Sequence, residues 1–266
     1  MIIKKILKKN IRLKDTYKDK NCFIFGNGSS IKKYDLSKFS NKFIFSCGWL
    51  FLHKEYNYLN ILADFEMHPG IFLPFWKNEY NKKFEYNRIN YLFKKRERIL
   101  KSKYFFTSLV NLPGLIGYKN VYYLYHFGKK KFDHNYINPL SEFSLMENSL
   151  FAMIGMASYM GFKNINLVGM DYLLDHPVSG HFYEKNEIIT TNSEEVKKRN
   201  EYFFNFYSKV ANFKLVISSK DETSFLDTIE YKNLIGENNK NYTNKDIINK
   251  SDLELLDKTN VKYNIF

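Results

Sequence analysis

The sequence predicts an α/β fold: a Rossmann-like, doubly wound and mainly parallel sheet. Three observations carry that expectation. Short apolar runs of strand length recur at Cys22–Phe25, Phe43–Cys47, Leu59–Ala63, Tyr104–Thr107, Val121–Tyr125, Ile165–Val168 and Lys214–Ser218. Segments of helical period alternate with them. Several runs close on Gly-rich or acidic turns, where such sheets place ligands beyond the carboxyl ends of their strands. The chain divides into a basic amphipathic segment at 1–20, a Rossmann-like domain at 21–235 and a polar, Asn/Lys-rich tail at 236–266.

In order along the chain, Met1–Lys14 (MIIKKILKKNIRLK) sets Ile2, Ile3, Ile6, Leu7, Ile11 and Leu13 roughly on one helical face, with lysines opposite. That pattern fits an interfacial helix on a membrane and equally a lead-in helix packed on the domain. The first strand, Cys22–Phe25, ends on Gly26-Asn27-Gly28-Ser29-Ser30. The third closes at Asp64-Phe65-Glu66, and the aromatic-rich stretch 70–94 is expected to be helical. Asn148–Gly161 reads as a helix with Asn148 as its cap and Gly161 as its stop. The strand Ile165–Val168 ends at Gly169-Met170-Asp171. Leu173–Thr191 then lacks a period and carries Pro177, Gly180 and two histidines, as a lid loop would. A helix follows over Ser193–Val210, its Ser-Glu-Glu start suiting the dipole and Val196, Phe203, Phe206 and Val210 forming its apolar stripe. A modest helix is expected near Asp252–Leu256, and there is no internal repeat.

Bulk properties narrow the classes. At 266 residues the chain can bury a proper core. Its 41 basic against 28 acidic residues leave a net charge of +13, concentrated at Lys4–Lys20, Lys94–Lys103 and Lys129–Lys131. Such a surface favours nucleic acid, anionic lipid or anionic small molecules, although each run also reads as an ordinary solvated face. The 18% aromatic content accompanies abundant Lys, Asn and Ile, as in AT-rich coding, and is not read as a base-stacking surface. Cys22 and Cys47, inside apolar runs, are expected to be reduced core residues. No run of about 18 apolar residues exists to span a bilayer, and the charges in Met1–Leu13 argue against a signal peptide. The expected location is the cytoplasm, or the inner face of the cytoplasmic membrane.

The strand ends hold the candidate chemistry. Gly26 and Gly28 let backbone N–H groups approach a phosphate or ribose, and Ser29 and Ser30 add hydroxyls. Position 31 is Ile rather than a third glycine, and no Gly-Lys-Ser/Thr follows, so neither the dinucleotide fingerprint nor a Walker loop is present. The Asn27 amide both donates and accepts, which suits a sugar or nucleobase edge. Gly48 follows the second strand. Asp64 and Glu66 have the spacing to hold a divalent cation; equally, Asp64 caps the next helix or bonds a ribose. With no supporting His or Asp cluster, no metal is expected. Beyond Gly169 and Asp171, His181 or His176 is the candidate base. Tyr172 and Tyr183 are candidate hydrogen-bond donors to a departing phosphate.

Together these segments resemble a known group. Gly26-Asn27-Gly28-Ser29-Ser30 looks like the start of the bacterial sialyltransferases of glycosyltransferase family 42 and of the related pterin-pyrophosphokinase-like (DUF115) superfamily. Ile44–Phe51 (IFSCGWLF) is similar to that family's second-strand segment, Asn148–Tyr172 to the helix–strand unit before its lid, and His181–Tyr183 to a recurrent motif. The match covers about Asn21–Phe225. It implies the GT-A-like variant of the fold, Asn27 and Ser30 against a CMP moiety, and Ser149 touching the donor. It also implies a lid histidine as base, tyrosine hydroxyls on the leaving phosphate, no metal and inversion at the anomeric carbon. The chain departs from the pattern in having Gly48 and Asp64 near positions where the family has asparagine. Leu173 fills the slot of the first lid tyrosine, with Tyr172 one position early, and the lid is shorter.

The expectation is therefore an inverting glycosyltransferase. It would move sialic acid or a related nonulosonic acid from a CMP-sugar to a hydroxyl of a lipo-oligosaccharide or capsule glycan, without a cofactor. Inner-membrane contact and a homo-oligomer are compatible with it, and no nucleic acid is expected. The alternatives are a metal-dependent pterin pyrophosphokinase-like phosphotransferase, relying on Asp64, Glu66 and Asp171, and a basic nucleic-acid-binding protein.

Overall fold

In a computed structural model of the chain, the described residues are 2–68, 72, 97–125, 138–141, 148–176, 180–184, 193–236 and 247–252. The expected helix at 70–94 falls outside them except for residue 72, as does the one near Asp252–Leu256 beyond its first residue.

β1 (Asn21–Phe25) buries every residue after Asn21: Cys22 and Ile24 enter one core, Phe23 and Phe25 another on the opposite face. Burial on both faces is what an unbroken apolar run means in a parallel sheet. The same logic builds β2 (Ile44–Cys47), β3 (Ile61–Glu66), β4 (Tyr104–Ser108) and β5 (Val121–Leu124). β6 (Asn164–Val168) and β7 (Asn212–Ile217) follow, with a short β8 (Thr228–Glu230) at the edge. β8 escapes sequence reading because it has three residues and none is fully buried.

All neighbouring strands run parallel, in the order β5-β4-β3-β2-β1-β6-β7-β8. The chain proceeds outward from β1 in one direction and returns to β1's other side with β6. The gap between the ends of β1 and β6 is thus the topological switch point. Phe25 pairs with both Ser46 and Val168, so β1, β2 and β6 finish level and deliver Gly26, Gly48 and Gly169 to one edge.

α1 (Ile2–Leu7) leads into a 3₁₀ stretch, Lys8–Leu13. α2 (Ser149–Tyr159) is buried from Leu150 to Ala157, apolar all round as a central helix should be, and Asn148 caps it by accepting the Phe151 N–H at 2.8 Å. α3 (Glu194–Tyr207) is capped by Ser193. Its buried stripe is Asn200, Phe203, Phe204 and Tyr207 rather than the Val196–Phe206–Val210 set; Val210 lies past the helix, half exposed. The helix is rotated because it faces two neighbours: Phe203 stacks on Phe151 at 3.8 Å, and Phe204 meets Phe213 of β7 edge-on at 5.2 Å. α4 (Tyr231–Ile235) completes the set.

The N-terminal segment packs along β5, the outer strand. Lys9 donates from Nζ to the carbonyls of Lys119 (2.5 Å) and Val121 (2.6 Å), and Asn10 from Nδ2 to those of Tyr123 (3.0 Å) and Pro139 (2.7 Å). Side chains thereby cover backbone acceptors that an edge strand would otherwise present to another chain. In the tail, Ile247 and Ile248 are buried and the Lys54 N–H donates to the Ile247 carbonyl at 2.7 Å. Cys22 and Cys47 are buried free thiols. Among the described residues no helix is long and apolar enough to cross a membrane.

Candidate active site

The ends of β1 and β6 are joined by backbone. Gly26 donates to the Val168 carbonyl and Gly28 to that of Gly169, both at 2.8 Å. The turn between them is braced by Asp171, which accepts the Ser30 N–H at 2.8 Å, the Ser29 hydroxyl at 3.2 Å and the Ser30 hydroxyl. Burial pushes the Asp171 carboxyl above its ordinary pKa, against the opposing pull of the serine hydrogen bonds. Glycine is required at position 28 because a Cβ there would stand 2.5 Å from the Asp171 carboxyl carbon. The Ile31 side chain fills the space beside Gly169, which is why this turn has no third glycine.

Asn27 points across to the end of β2. Its Nδ2 reaches the Cys47 carbonyl only at 3.4 Å, while its Oδ1 is buried with no hydrogen-bond partner. Gly48 makes room for the amide: its φ is +63°, and a Cβ would come within 2.5 Å of Asn27 Nδ2. A buried acceptor left unpaired costs about 1–3 kcal/mol. An amide in that condition at a switch point is an acceptor waiting for a donor.

The lid returns to this turn. His181 pairs antiparallel with Gly28, and the Phe182 N–H donates to the Asn27 carbonyl at 2.9 Å. Phe182 and Tyr183 are buried and anchor the strand, Phe182 against His53 at 5.8 Å and Tyr183 against Trp49 at 5.9 Å. The His181 side chain keeps 30% of its surface exposed and stacks on Tyr183 at 5.1 Å. Glu184 holds it twice, accepting the His181 backbone N–H at 2.7 Å and meeting Nδ1 at 3.0 Å. With Nδ1–H donated to that carboxylate, Nε2 carries the lone pair, an assignment that follows from the hydrogen bond.

Tyr172 lies in the turn Asp171–Leu173, packed against the α2–α3 core, and burial raises its hydroxyl far above the ordinary pKa. It is a neutral O–H donor at any physiological pH. His176 stands on an exposed stretch fixed by Asp175, which binds Lys197 at 3.0 Å. Ser149 is half-buried in the first turn of α2, whose N-terminus opens at the sheet's carboxyl edge because the helix runs antiparallel to β6.

Asp64 is placed differently from the expectation of a helix cap or ribose contact. β3 continues through Glu66, so Asp64 is fully buried within the strand. There Arg98 grips it in bidentate fashion, Nε at 2.7 Å and Nη2 at 2.5 Å, with Glu66 at 3.8 Å from Nη1. The structure brings Gly26, Asn27, Gly28, Ser29, Ser30, Gly48, Gly169, Asp171, His181 and Tyr183 to one edge. It divides Asp64 and Glu66 from Asp171, in two separate networks. Among the described residues no three His, Cys, Asp or Glu side chains cluster as metal ligands.

Sequence reading missed Glu184, Arg98 and Arg199. Glu184 carried a signal, its i+3 spacing from His181. Arg98 was hidden in a basic run. Arg199, in the second turn of α3, sets its guanidinium 5.9 Å from the Phe151 ring near the start of α2.

Compared with solved structures, the chain is similar to the MAf glycosyltransferase from Magnetospirillum magneticum AMB-1, with 12% identity and a TM-score of 0.51, over 97% of this chain and 41% of that one. The two share a fold. The chain is also similar to the sialyltransferase CstII from Campylobacter jejuni in complex with the substrate analogue cytidine-5'-monophosphate, at 18% identity and a TM-score of 0.46, covering 91% of this chain and 99% of that one. A CstII complex with CMP-3FNeuAc gives 18% identity and a TM-score of 0.40, over 86% and 90%. No family model matches the sequence, and no curated protein matches it.

Proposed function

We propose that the chain is an inverting glycosyltransferase that moves sialic acid or a related nonulosonic acid from its CMP ester to a hydroxyl of a cell-surface glycan. The observation that carries this reading is the pairing of His181 with Gly28, which sets a carboxylate-oriented imidazole beside a turn suited to a nucleotide. The motif resemblance of that turn, the helix–strand unit and the lid supplies the donor class.

In this reading the Asn27 Oδ1 accepts an N–H or O–H of the cytidine, which pairs the buried acceptor. His181 Nε2 takes the proton of the acceptor hydroxyl as that oxygen bonds to the anomeric carbon. The bond from that carbon to the phosphate oxygen breaks, and CMP departs with the electron pair. The Tyr172 and Tyr183 hydroxyls donate to the phosphate as its charge develops, the task a metal performs in other transferases. A positive surface favours an anionic donor.

The test is binding measured by thermal shift with CMP, CDP, UDP, GDP, ATP and NAD, each with and without Mg²⁺. Stabilisation by CMP without metal is expected. Selective stabilisation by ATP or a diphosphate with Mg²⁺ would overturn the donor assignment.

A further inference from the structure

We infer that the N-terminal segment, fixed along β5, is a docking face for an anionic lipid bilayer. Leu7 and Leu13 are buried against the domain, yet Ile2, Ile3 and Ile11 of the same segment are 75%, 43% and 51% exposed. The turn whose Lys119 carbonyl Lys9 grips adds Ile116, at 78% the most exposed large apolar side chain among the described residues. Interleaved with them are the exposed cations Lys4, Lys5, Lys8, Arg12 and Lys14, and no acidic residue occurs before Asp15.

This face is rigid. Besides the hydrogen bonds of Lys9 and Asn10 to β5, the Lys9 ammonium and the Arg12 guanidinium lie over the Tyr122 ring, at 4.2 and 5.4 Å. A basic segment held in this way pays little ordering entropy on docking. Its chemistry chooses the partner. Isoleucines beside lysines match the acyl boundary and the anionic headgroups of one membrane surface. Nucleic acid would satisfy the lysines and leave Ile2, Ile3, Ile11 and Ile116 in water.

The full chain should co-sediment with vesicles of mixed phosphatidylcholine and phosphatidylglycerol, and not with phosphatidylcholine alone. Binding should weaken as salt is raised. Ile2→Asp/Ile3→Asp should lower the vesicle affinity by at least about tenfold. Both side chains are exposed, so the melting temperature should hold; Lys4→Glu/Lys5→Glu is the second variant and should have the same effect. The inference is overturned if the wild-type chain stays in the supernatant, or if both variants sediment as it does. Binding to random RNA that is indifferent to the isoleucine changes, without vesicle binding, assigns the face to nucleic acid instead.

Discussion

Asp171 holds Ser30 twice, by its backbone N–H at 2.8 Å and by its hydroxyl, and so fixes the turn after β1 from the far side of the switch point. The brace is a buried carboxylate used for shape. Asp171→Asn removes the charge and one acceptor while keeping the volume. Affinity for CMP should then fall by about tenfold, from the loss of one charge-assisted contact of about 1.5 kcal/mol, with an intact far-ultraviolet spectrum. Isothermal titration checks it.

Gly48 and Asn27 form the second adjustable pair. Gly48→Ala forces a side chain into left-handed backbone, at a cost of about 1–2 kcal/mol, and pushes its Cβ onto the Asn27 amide. The variant should be less stable by that amount and weaker in CMP binding. Equal binding would remove Asn27 from the nucleotide site.

The Asp64–Arg98 pair tests whether Asp64 meets the donor or serves the fold. Asp64→Asn should destabilise the protein by about 3 kcal/mol in a urea melt, because it strands a buried guanidinium. Asp64→Leu/Arg98→Met should recover most of that loss. The donor KM of the folded variants should stay near wild type, whereas a large rise in KM would return Asp64 to the donor site.

His53 gives the fold an acid limit. Its Nδ1 accepts the Glu55 N–H at 3.1 Å, and burial lowers its pKa from 6.5 to about 4. The unfolded chain therefore binds a proton that the folded one refuses. This contribution is complete above about pH 6.5, is lost as pH falls toward 4, and amounts to about 3 kcal/mol. Urea melts at pH 7 and pH 5 should show the loss. It should shrink in His53→Asn, whose Oδ1 can take the Glu55 N–H.

The parts of this account legible in the sequence are those set by local chemistry. The alternation of buried strands and capped helices, the turn Gly26–Ser30 and the strand end at Gly169–Asp171 can be read residue by residue. What was hidden depends on partners distant in sequence. Asp64 looks like a strand-end ligand until Arg98, inside a run of cations that reads as solvated surface, folds onto it 3% exposed. The stripe of α3 turned because Phe151 of another helix set its face. The N-terminal helix was ambiguous between packing and lying on a membrane, and the sequence holds residues for each role: Leu7 and Leu13 inward, Ile2 and Ile3 outward.

The measurement that bears most directly on the central claim is sialyl transfer and CMP binding in His181→Ala, side by side with wild type. Transfer should fall by at least about a hundredfold, the scale of a general base, while CMP affinity changes little. Undiminished transfer in the variant would contradict the account and move the base away from His181.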